Sequence, residues 1–417
     1  STWRHLSIMN FELWAQRLNT VLIQNQSLWR HNAYSNFNAS PIDDNAVLRN
    51  FLLALNDGEF AQLQRNDRQL LKSLIPYFPP AVELLELITI TSAPAASHRE
   101  PPVGIPGNKW QQIQAFIDAH PTEIGETQAN QNPALLNNTP AIEWCSGKGY
   151  LSEALFSRYA LDSVGLEIDA SLVDSGNTRV GKSAGRTYQI VKCDVLSEHV
   201  FNYVNSSTQV LALHACGGLH QRLLSVSATA HSPRISFSPC CYHRFNHGEY
   251  QPLSSSMKAS ALPLSNSDLR TAVRQTCTAG ASETAARRRL QARYIGLRLL
   301  LAEQGFATDT ALPSSPQHWS KMSFRDWVNE TLSRKPIAVT IPTNIDQYEV
   351  AGAQGLHKAE RLDLIRMAFR RAIELRCVLD SILYLQEQHY DCTLSEFCPS
   401  SLTPRNLLVQ AVKRAAI

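Results

Sequence analysis

A short polar run with two glycines carries the clearest chemical signal in this chain. The run is Glu143-Trp-Cys-Ser-Gly-Lys-Gly-Tyr-Leu-Ser152, and it joins a predicted apolar strand to a predicted helix. Glycines in such a turn let backbone amides approach a ligand closely, and the amino end of the helix favours a carboxylate or phosphate. We therefore predict a ligand site at Glu143, Cys145, Ser146, Gly147 and Gly149. Taken alone, the run also fits a tight turn without a ligand.

Two acidic residues follow at the ends of the next two predicted strands. Glu167 ends the second strand and Asp194 ends the third. A carboxylate at the first position can accept hydrogen bonds from both ribose hydroxyls of a cofactor. A carboxylate at the second position suits the amino group of adenine. The residues that directly follow the acids, Ile168 and Val195, complete the predicted cofactor site. Each acid alone is more often a loop carboxylate or a helix cap, but three matching strand ends rarely coincide by accident.

Histidines and cysteines follow the fourth and fifth predicted strands. The two runs are Leu213-His-Ala-Cys-Gly-Gly218 and Ser238-Pro-Cys-Cys-Tyr-His-Arg244. Ligands of open parallel sheets bind outside the carboxyl ends of the strands, so both runs border the same crevice. His214 and His243 can act as a general base or orient an acceptor, and His214 can also shape the cofactor pocket. Arg244 can hold a phosphate or a carboxylate. Either histidine can equally be a hydrogen-bonded structural residue.

The cysteines of these runs suggest two further kinds of chemistry. The thiol of Cys241 is a candidate nucleophile, although small buried thiols that line a cleft are the commoner case. Cys216, Cys240, Cys241 and His243 also offer the residue types that bind zinc. Adjacent cysteines lack the usual two-residue chelate spacing. The sequence therefore predicts no metal site.

Alternating strands and helices must position these residues. Short apolar runs predict seven strands, near 141–145, 162–167, 188–193, 209–214, 234–239, 392–397 and 406–412. Helical segments separate the first five strands, which predicts a parallel sheet covered on both faces. A long helical stretch, from about Glu360 to Gln388, precedes the last two strands. Those two strands complete a seven-stranded sheet.

The rest of the chain is predicted to form a helical amino-terminal part and an insertion. A stretch rich in Pro, Ser, Ala and Gly, from Thr91 to Gly107, is the best linker candidate. We predict an N-terminal helical domain over residues 1–95 and an α/β domain over 96–417, with a large insertion after strand five, at about 246–358. A basic helix at about 282–304 carries arginines that can contact phosphates, although a solvated helix face is the more common explanation.

Bulk composition sets the class of protein. The 417 residues are 44% hydrophobic and 18% charged, which suffices for a sizeable core, and the net charge of +3 permits a nucleic-acid partner without requiring one. No run approaches the roughly 20 apolar residues that span a membrane. The first ten residues lack the pattern of a signal peptide. The odd count of nine scattered cysteines fits reduced thiols, so we expect a cytoplasmic protein.

The glycine run resembles the first motif of class I S-adenosylmethionine-dependent methyltransferases, acid-x-Gly-x-Gly-x-Gly, with Cys145 in place of the first glycine. The runs after strands four and five resemble those of one group in that class. The group contains tRNA acceptor-stem 2′-O-methyltransferases, methyltransferase-like proteins and the glutathione S-transferase C-terminal-domain-containing protein. The resemblance covers roughly residues 105–245 and 360–415. It implies a Rossmann-like, seven-stranded class I methyltransferase sheet, S-adenosylmethionine as cofactor, and RNA as acceptor, with tRNA the first candidate.

The sequence leaves three other functions open. A methyltransferase for a protein or a small molecule, with the N-terminal helices recruiting the acceptor, fits the same residues. A non-catalytic protein that retains the cofactor fold fits them as well. An NAD-dependent oxidoreductase fits less well, because the Gly-x-Gly-x-x-Gly spacing is absent after Gly147.

Overall fold

The chain groups into two units, each with contacts mainly among its own segments. In a computed structural model, the described residues are 10–34, 40–93, 100–102, 104–120, 139–180, 188–245, 248–274, 281–307 and 310–415. The first unit comprises Ser1–Thr20, Leu87–Arg274 and Ala372–Ile417, and the second comprises Val21–Glu86 and Gln275–Arg371. These units do not coincide with the two predicted domains, because residues 21–86 group with residues 275–371. The predicted linker lies partly outside the described residues.

A seven-stranded sheet runs through the first unit. Its strands are β1 (Ala141–Trp144), β2 (Ser163–Glu167), β3 (Tyr188–Lys192), β4 (Gln209–Ala215), β5 (Arg234–Pro239), β6 (Tyr390–Glu396) and β7 (Leu407–Lys413). The strand order is β3-β2-β1-β4-β5-β7-β6. The first five strands are parallel, and β7 runs antiparallel to both β5 and β6. All seven predicted strands and the predicted α/β, Rossmann-like fold class are confirmed.

The strand order places a crevice at one edge of the sheet. β1 is buried at every position and β5 at nearly every position, as expected for strands covered by helices on both faces. From β1 the chain builds outward to β2 and β3, and it then returns to add β4 on the other side of β1. Such a reversal opens a crevice outside the carboxyl ends of β1 and β4. The predicted site residues follow these carboxyl ends.

Helices fill the remainder of both units. The described residues form seventeen α-helices, which are α1 (Phe11–Gln24), α2 (Gln26–Trp29), α3 (Ala46–Ala54), α4 (Asp57–Arg65), α5 (Asp67–Leu74), α6 (Pro80–Leu87), α7 (Gly107–Asp118), α8 (Tyr150–Tyr159), α9 (Ala170–Val180), α10 (Gly217–Thr229), α11 (Ser255–Ala259), α12 (Asn266–Ala272), α13 (Ala281–Glu303), α14 (Phe324–Arg334), α15 (Asp346–Leu362), α16 (Leu364–Met367) and α17 (Arg370–Glu387). Within this described part of the chain, none of the helices combines the length and apolar character needed to cross a membrane.

Helix α7 is fixed against the sheet by a shared apolar cluster. Ile113 and Phe116 of α7 pack in one core with Leu155 of α8 and Leu211 of β4, and all four are nearly fully buried. This packing sets the polar side chains of α7 beside the crevice. Lys109 and Gln112 of the same helix are therefore available to the candidate site.

Some predicted helices are broken where the sequence gives little sign of it. The stretch predicted as one helix at 360–388 contains the end of α15, then α16 and α17, separated by tight turns at Asp363 and at Ala368–Phe369. Neither glycine nor proline marks these turns. Within the predicted N-terminal helical domain, α4 and α5 are separate helices, because the Asn66 side chain accepts a hydrogen bond from the Gln69 amide at 3.0 Å and caps α5.

The arginines of the predicted basic helix, α13, pair within the second unit. Arg288 donates two hydrogen bonds to the Glu360 carboxylate at 2.8 and 2.7 Å. Arg293 is fully buried and bonds to Glu349 at 2.8 Å, as well as to two backbone carbonyls. Buried and bidentate guanidinium groups serve the internal structure of the unit. Arg288 and Arg293 are therefore engaged inside the unit, whereas Arg287 and Arg289 of the same helix stay exposed.

Candidate functional site

Left-handed backbone shapes the loop between β1 and α8. Cys145, Gly147 and Gly149 have φ angles of 53°, 58° and 68°. Glycine takes this conformation readily, whereas another residue costs roughly 1–2 kcal/mol. Cys145 stands where the motif has glycine. Its positive φ is the conformation that glycine adopts most easily. Cys145 therefore holds a left-handed backbone at the strain cost of a residue other than glycine.

The two glycines of this loop have different surroundings. A Cβ atom on Gly149 would lie 2.7 Å from Ile190 Cδ1, so glycine is needed there for packing. A Cβ atom on Gly147 would meet no atom of the described residues within 4 Å. Gly147 therefore exposes its backbone to open space at the crevice, where a ligand can approach it closely.

Glu143 lies beneath the loop and holds the start of α8. One carboxylate oxygen accepts hydrogen bonds from the Ser152 amide at 2.9 Å and the Ser152 hydroxyl at 2.6 Å. Burial raises the pKa of Glu143 to about 7, although the two Ser152 bonds oppose the rise. Glu143 thus positions the glycine loop in this structure. Its direct contact with a cofactor stays a prediction.

Glu167 at the end of β2 is held rigidly beside the loop. Its carboxylate accepts three backbone hydrogen bonds, from Gly147 at 2.8 Å, Ile168 at 2.9 Å and Asp169 at 3.0 Å. Hydrogen bonds to a charged acceptor are among the stronger ones in proteins. The carboxylate is therefore fixed in place next to the open face of Gly147.

A large apolar side chain is exposed close to each of the two acids, Glu167 and Asp194. Asp194 is exposed after β3, and its carboxylate accepts a hydrogen bond from the Leu196 amide at 2.9 Å. The side chains of Ile168 and Leu196 are 60% and 42% exposed, which is unusual for large aliphatic residues. Two apolar surfaces next to two acids suit a flat purine ring with polar edges. Val195, in contrast, is buried, so only its backbone is available to a ligand.

Sequence reasoning missed two residues of this half of the site. Leu196 went unnoticed because a single leucine after a strand carries no signal until its exposure is known. Lys109 lies on α7, far from the motif in the sequence, with its ammonium group 4.8 Å from the centre of the Tyr150 ring. Partial desolvation lowers the pKa of Lys109, and attraction to Glu143 opposes that change. Lys109 therefore adds a positive charge near the glycine loop.

His214 lies at an irregularity near the end of β4. The pairing of β4 with β5 shifts between Leu213 and Ala215, and His214 has a φ of 67°. Its Nε2 atom lies 2.8 Å from Gln112 Oε1. Burial lowers the pKa of His214 to about 4, so the ring is neutral near pH 7 and is a weak base. The structure thus favours a binding role for His214 over the predicted role of general base.

His243 lies in the turn after β5, near two cationic residues. The histidine is half-buried, whereas Arg244 and Arg270 are exposed. Desolvation lowers the pKa of His243, attraction to Cys241 raises it, and the two guanidinium groups lower it further. A neutral imidazole near two guanidinium groups suits an acceptor that carries negative charge.

A glycine lets the turn after β5 close over the start of α10. The Gly218 amide donates a hydrogen bond to the Arg244 carbonyl at 2.9 Å. A Cβ atom on Gly217 would lie only 1.7 Å from the same carbonyl oxygen, and Gly217 has a φ of 48°. Only glycine fits this close approach of two backbone segments. The turn that carries His243 and Arg244 is thereby held beside the end of β4.

Three cysteines meet at the same edge. The Sγ atoms of Cys216 and Cys240 lie 2.7 Å apart, and the Cys241 thiol lies next to both. Hydrogen bonds from Cys216 and Cys240 lower the pKa of Cys241, so its thiolate form is favoured.

All the predicted site residues, both cofactor-binding and reactive, belong to the first unit and lie at one edge of its sheet.

The family comparison points to the same region. Residues 108–248 match the model of a family described as a methyltransferase domain. This stretch is about a third of the chain and contains every predicted site residue. Among curated proteins, none matches the sequence. The similarity to a methyltransferase domain thus lies in the stretch that holds the predicted site.

Similar solved structures are distant. One is a geranyl diphosphate methyltransferase in complex with geranyl diphosphate and sinefungin. It is 13% identical, with a TM-score of 0.25, and the match covers 31% of this chain and 45% of that one. An rRNA methylase from Streptococcus thermophilus is 7% identical, with a TM-score of 0.20, and the match covers 25% and 62%. A cyclopropane synthase from Mycobacterium tuberculosis is 11% identical, with a TM-score of 0.27, and the match covers 77% and 88%. This chain spans less than two thirds of the first two proteins, and likenesses this distant indicate no acceptor.

Proposed function

We propose that this chain is an S-adenosylmethionine-dependent methyltransferase that acts on RNA, with tRNA as the first candidate. One observation carries the cofactor assignment. The Glu167 carboxylate is fixed by three backbone amides beside the open face of Gly147, at the crevice of the sheet. A rigid acid next to a glycine loop is a suitable receptor for the two ribose hydroxyls of an adenosine.

The other residues of the cofactor half complete this proposal. Asp194 receives the adenine amino group, and the exposed side chains of Ile168 and Leu196 cover the faces of the ring. The amides of the glycine loop and the start of α8 favour the cofactor's carboxylate. When bound, the cofactor supplies an electrophilic methyl group on a sulfonium ion.

The reactive half suggests an anionic acceptor. Arg244 and Arg270 are exposed, and both act on the charge of His243. Guanidinium groups bind phosphate in a bidentate manner. An acceptor held there presents its nucleophile to the crevice. His243 takes the proton of that nucleophile, or orients it for attack on the methyl carbon in line with the bond to the departing sulfur. The resemblance to the tRNA acceptor-stem enzymes supports RNA over other phosphate-bearing acceptors.

The cysteines of the chain fit a protein of the cytoplasm. Eight cysteines among the described residues form no disulfide. Reduced thiols suit the cytoplasm, where we place the protein. The predicted helical domain at 1–95 is proposed to help recruit the acceptor.

Loss of the two guanidinium groups tests the acceptor. We expect Arg244→Gln and Arg270→Gln each to weaken tRNA binding by about tenfold, and each to reduce the salt dependence of binding by about one ion. The measurement is binding of unmodified tRNA over a range of salt concentrations, together with transfer of a radiolabelled methyl group to it. Arg65→Gln changes an exposed arginine of α4 and serves as the matched control.

The same assay separates RNA from other acceptors. Methyl label that enters protein or small-molecule fractions of a cell extract, and not RNA, would overturn the RNA proposal and leave the cofactor assignment intact. Cofactor binding without transfer to any fraction would favour a non-catalytic protein.

Replacement of Lys109 tests how the amino-acid part of the cofactor is held. We expect Lys109→Met to lower the affinity for S-adenosylmethionine by about tenfold, because an ammonium–carboxylate contact is lost. Methylthioadenosine lacks that carboxylate and should bind the variant and the unchanged protein equally. Calorimetric titration measures both ligands, with Lys258→Met, an exposed lysine of α11, as control. An equal loss for methylthioadenosine would contradict this role.

A further inference from the structure

Three cysteine thiols meet outside the ends of two neighbouring strands. Cys216 follows β4, Cys240 and Cys241 follow β5, and their Sγ atoms all lie within 4.8 Å of one another. The strands are parallel neighbours in which Ala215 pairs with Pro239, so the next residues of each strand emerge side by side. The fold therefore brings together ligands that are far apart in the sequence.

We propose that Cys216, Cys240 and Cys241 bind a zinc ion. Zinc accepts thiolate ligands at about 2.3 Å in a tetrahedral arrangement, which places the sulfur atoms about 3.7 Å apart. The Cys216 and Cys240 sulfurs are now 2.7 Å apart, so binding requires a side-chain shift of about 1 Å. Cys216 and Cys241 are only half-buried, which leaves room for that shift and a path for the ion.

We assign the fourth ligand to the Nδ1 atom of His214, two residues before Cys216. Its ring nitrogens do not lie within 4.8 Å of all three sulfurs, so binding requires the ring to move toward the thiols. Gln112 donates from Nε2 to the Leu402 carbonyl at 3.3 Å, and this orients its Oε1 atom toward His214 Nε2, 2.8 Å away. An amide oxygen only accepts, so the proton of His214 lies on Nε2 and Nδ1 carries a bare lone pair. Nδ1 is buried and has no hydrogen-bond partner among the described residues. Histidines that bind metals are commonly anchored in this way through their other nitrogen.

The backbone at His214 supports a functional role. The shift in strand pairing between Leu213 and Ala215 re-aims the side chain, and the positive φ of His214 is costly for a residue other than glycine. Such strain persists where function or packing requires it. A zinc ion at this point ties the end of β4 to the end of β5. It fixes the turn that carries His243 and Arg244, and it makes Cys241 a ligand in place of a nucleophile.

Metal analysis of the full chain tests the proposal. The protein is purified with reduced thiols and without chelators or a metal-binding tag, and its zinc content is measured before and after addition of zinc chloride. We expect one zinc ion per chain, released when a mercurial reagent blocks the thiols. Exchange for cobalt should give the absorption of tetrahedral cobalt with thiolate-to-metal charge transfer. These readouts need no methyl transfer, so they stand or fall separately from the proposed function.

Variants locate the ion. Cys216→Ser and Cys241→Ser should lose the zinc, whereas Cys392→Ser, in β6, should keep it. His214→Gln should keep a metal ion but change the cobalt spectrum, because a nitrogen ligand is exchanged for water. Circular dichroism shows whether each variant folds, and chelator competition on the unchanged protein gives a result even if the variants do not.

Two results would overturn the proposal. The first is the absence of bound zinc after addition of the metal to the reduced protein. The second is a disulfide between Cys216 and Cys240 in the freshly purified protein, seen by mass spectrometry as the loss of two hydrogens and accompanied by no metal. An unchanged cobalt spectrum in His214→Gln would refute the assignment of the fourth ligand.

Discussion

Glu167→Gln is expected to lower the affinity for S-adenosylmethionine by about a hundredfold. The change keeps the shape of the side chain but removes its charge, and charged hydrogen bonds to two ribose hydroxyls are worth about 1.5–3 kcal/mol each. It also replaces one acceptor oxygen by an amide group. The amide NH2 is a donor, so it would face a backbone N–H donor, either that of Gly147 or those of Ile168 and Asp169, and a hydrogen bond would be lost. The loss is measured by calorimetric titration with S-adenosylmethionine and S-adenosylhomocysteine.

A matched substitution shows whether that loss is specific. Glu330→Gln makes the same chemical change on the surface of α14, where the carboxylate pairs only loosely with Arg334 at 3.8 Å. It should leave the affinity unchanged. Thermal unfolding of both variants reports any damage to the fold. Full affinity in Glu167→Gln would refute the proposed ribose contact.

His243→Gln is expected to lower the turnover number by two to three orders of magnitude. General bases contribute about 10²–10⁴-fold to rate, and a glutamine retains a polar group of similar size without accepting a proton. The affinity for S-adenosylmethionine should be unchanged, because His243 lies in the reactive half and contacts no predicted cofactor residue among the described contacts. Turnover on tRNA and cofactor affinity are measured on the same preparation.

The division between rate and affinity decides the role of His243. His318→Gln changes an exposed histidine of the second unit and should be neutral in both measurements. A lowered tRNA affinity with unchanged turnover would make His243 a binding residue. Unchanged turnover and affinity would remove it from the site altogether.

The sheet and its edge were predictable because their signals are local. β4 contains a continuous apolar run, and a glycine loop, an acid, a histidine or a cysteine lies at or directly after the end of each of the first five strands. Since the carboxyl ends of parallel strands meet at one edge, the placement of Glu167, Asp194 and His243 in one crevice followed from the sequence. The positive φ of Cys145, in contrast, is not what a cysteine predicts, because this conformation is strained for a residue other than glycine.

Other features depend on contacts between distant segments and have no local signal. Lys109 joins the site only because Ile113 and Phe116 pack α7 against the sheet. Arg293 looks like a surface charge in the sequence, yet it is buried and bonded to Glu349. Spacing alone argued against a metal site, because the adjacent Cys240 and Cys241 lack the usual two-residue chelate spacing. The approach of Cys216 to them is a contact between two neighbouring strands. The grouping of residues 21–86 with 275–371 was likewise not predictable from sequence periodicity.

The crevice beside Gly147 and Glu167 is the proposed binding site of S-adenosylmethionine. Calorimetric titration of the purified chain with S-adenosylmethionine, S-adenosylhomocysteine and NADH tests it most directly. We predict micromolar binding of the first two, one molecule per chain, and no binding of NADH. Failure of both adenosyl compounds to bind, or preferential binding of NADH, would contradict the account.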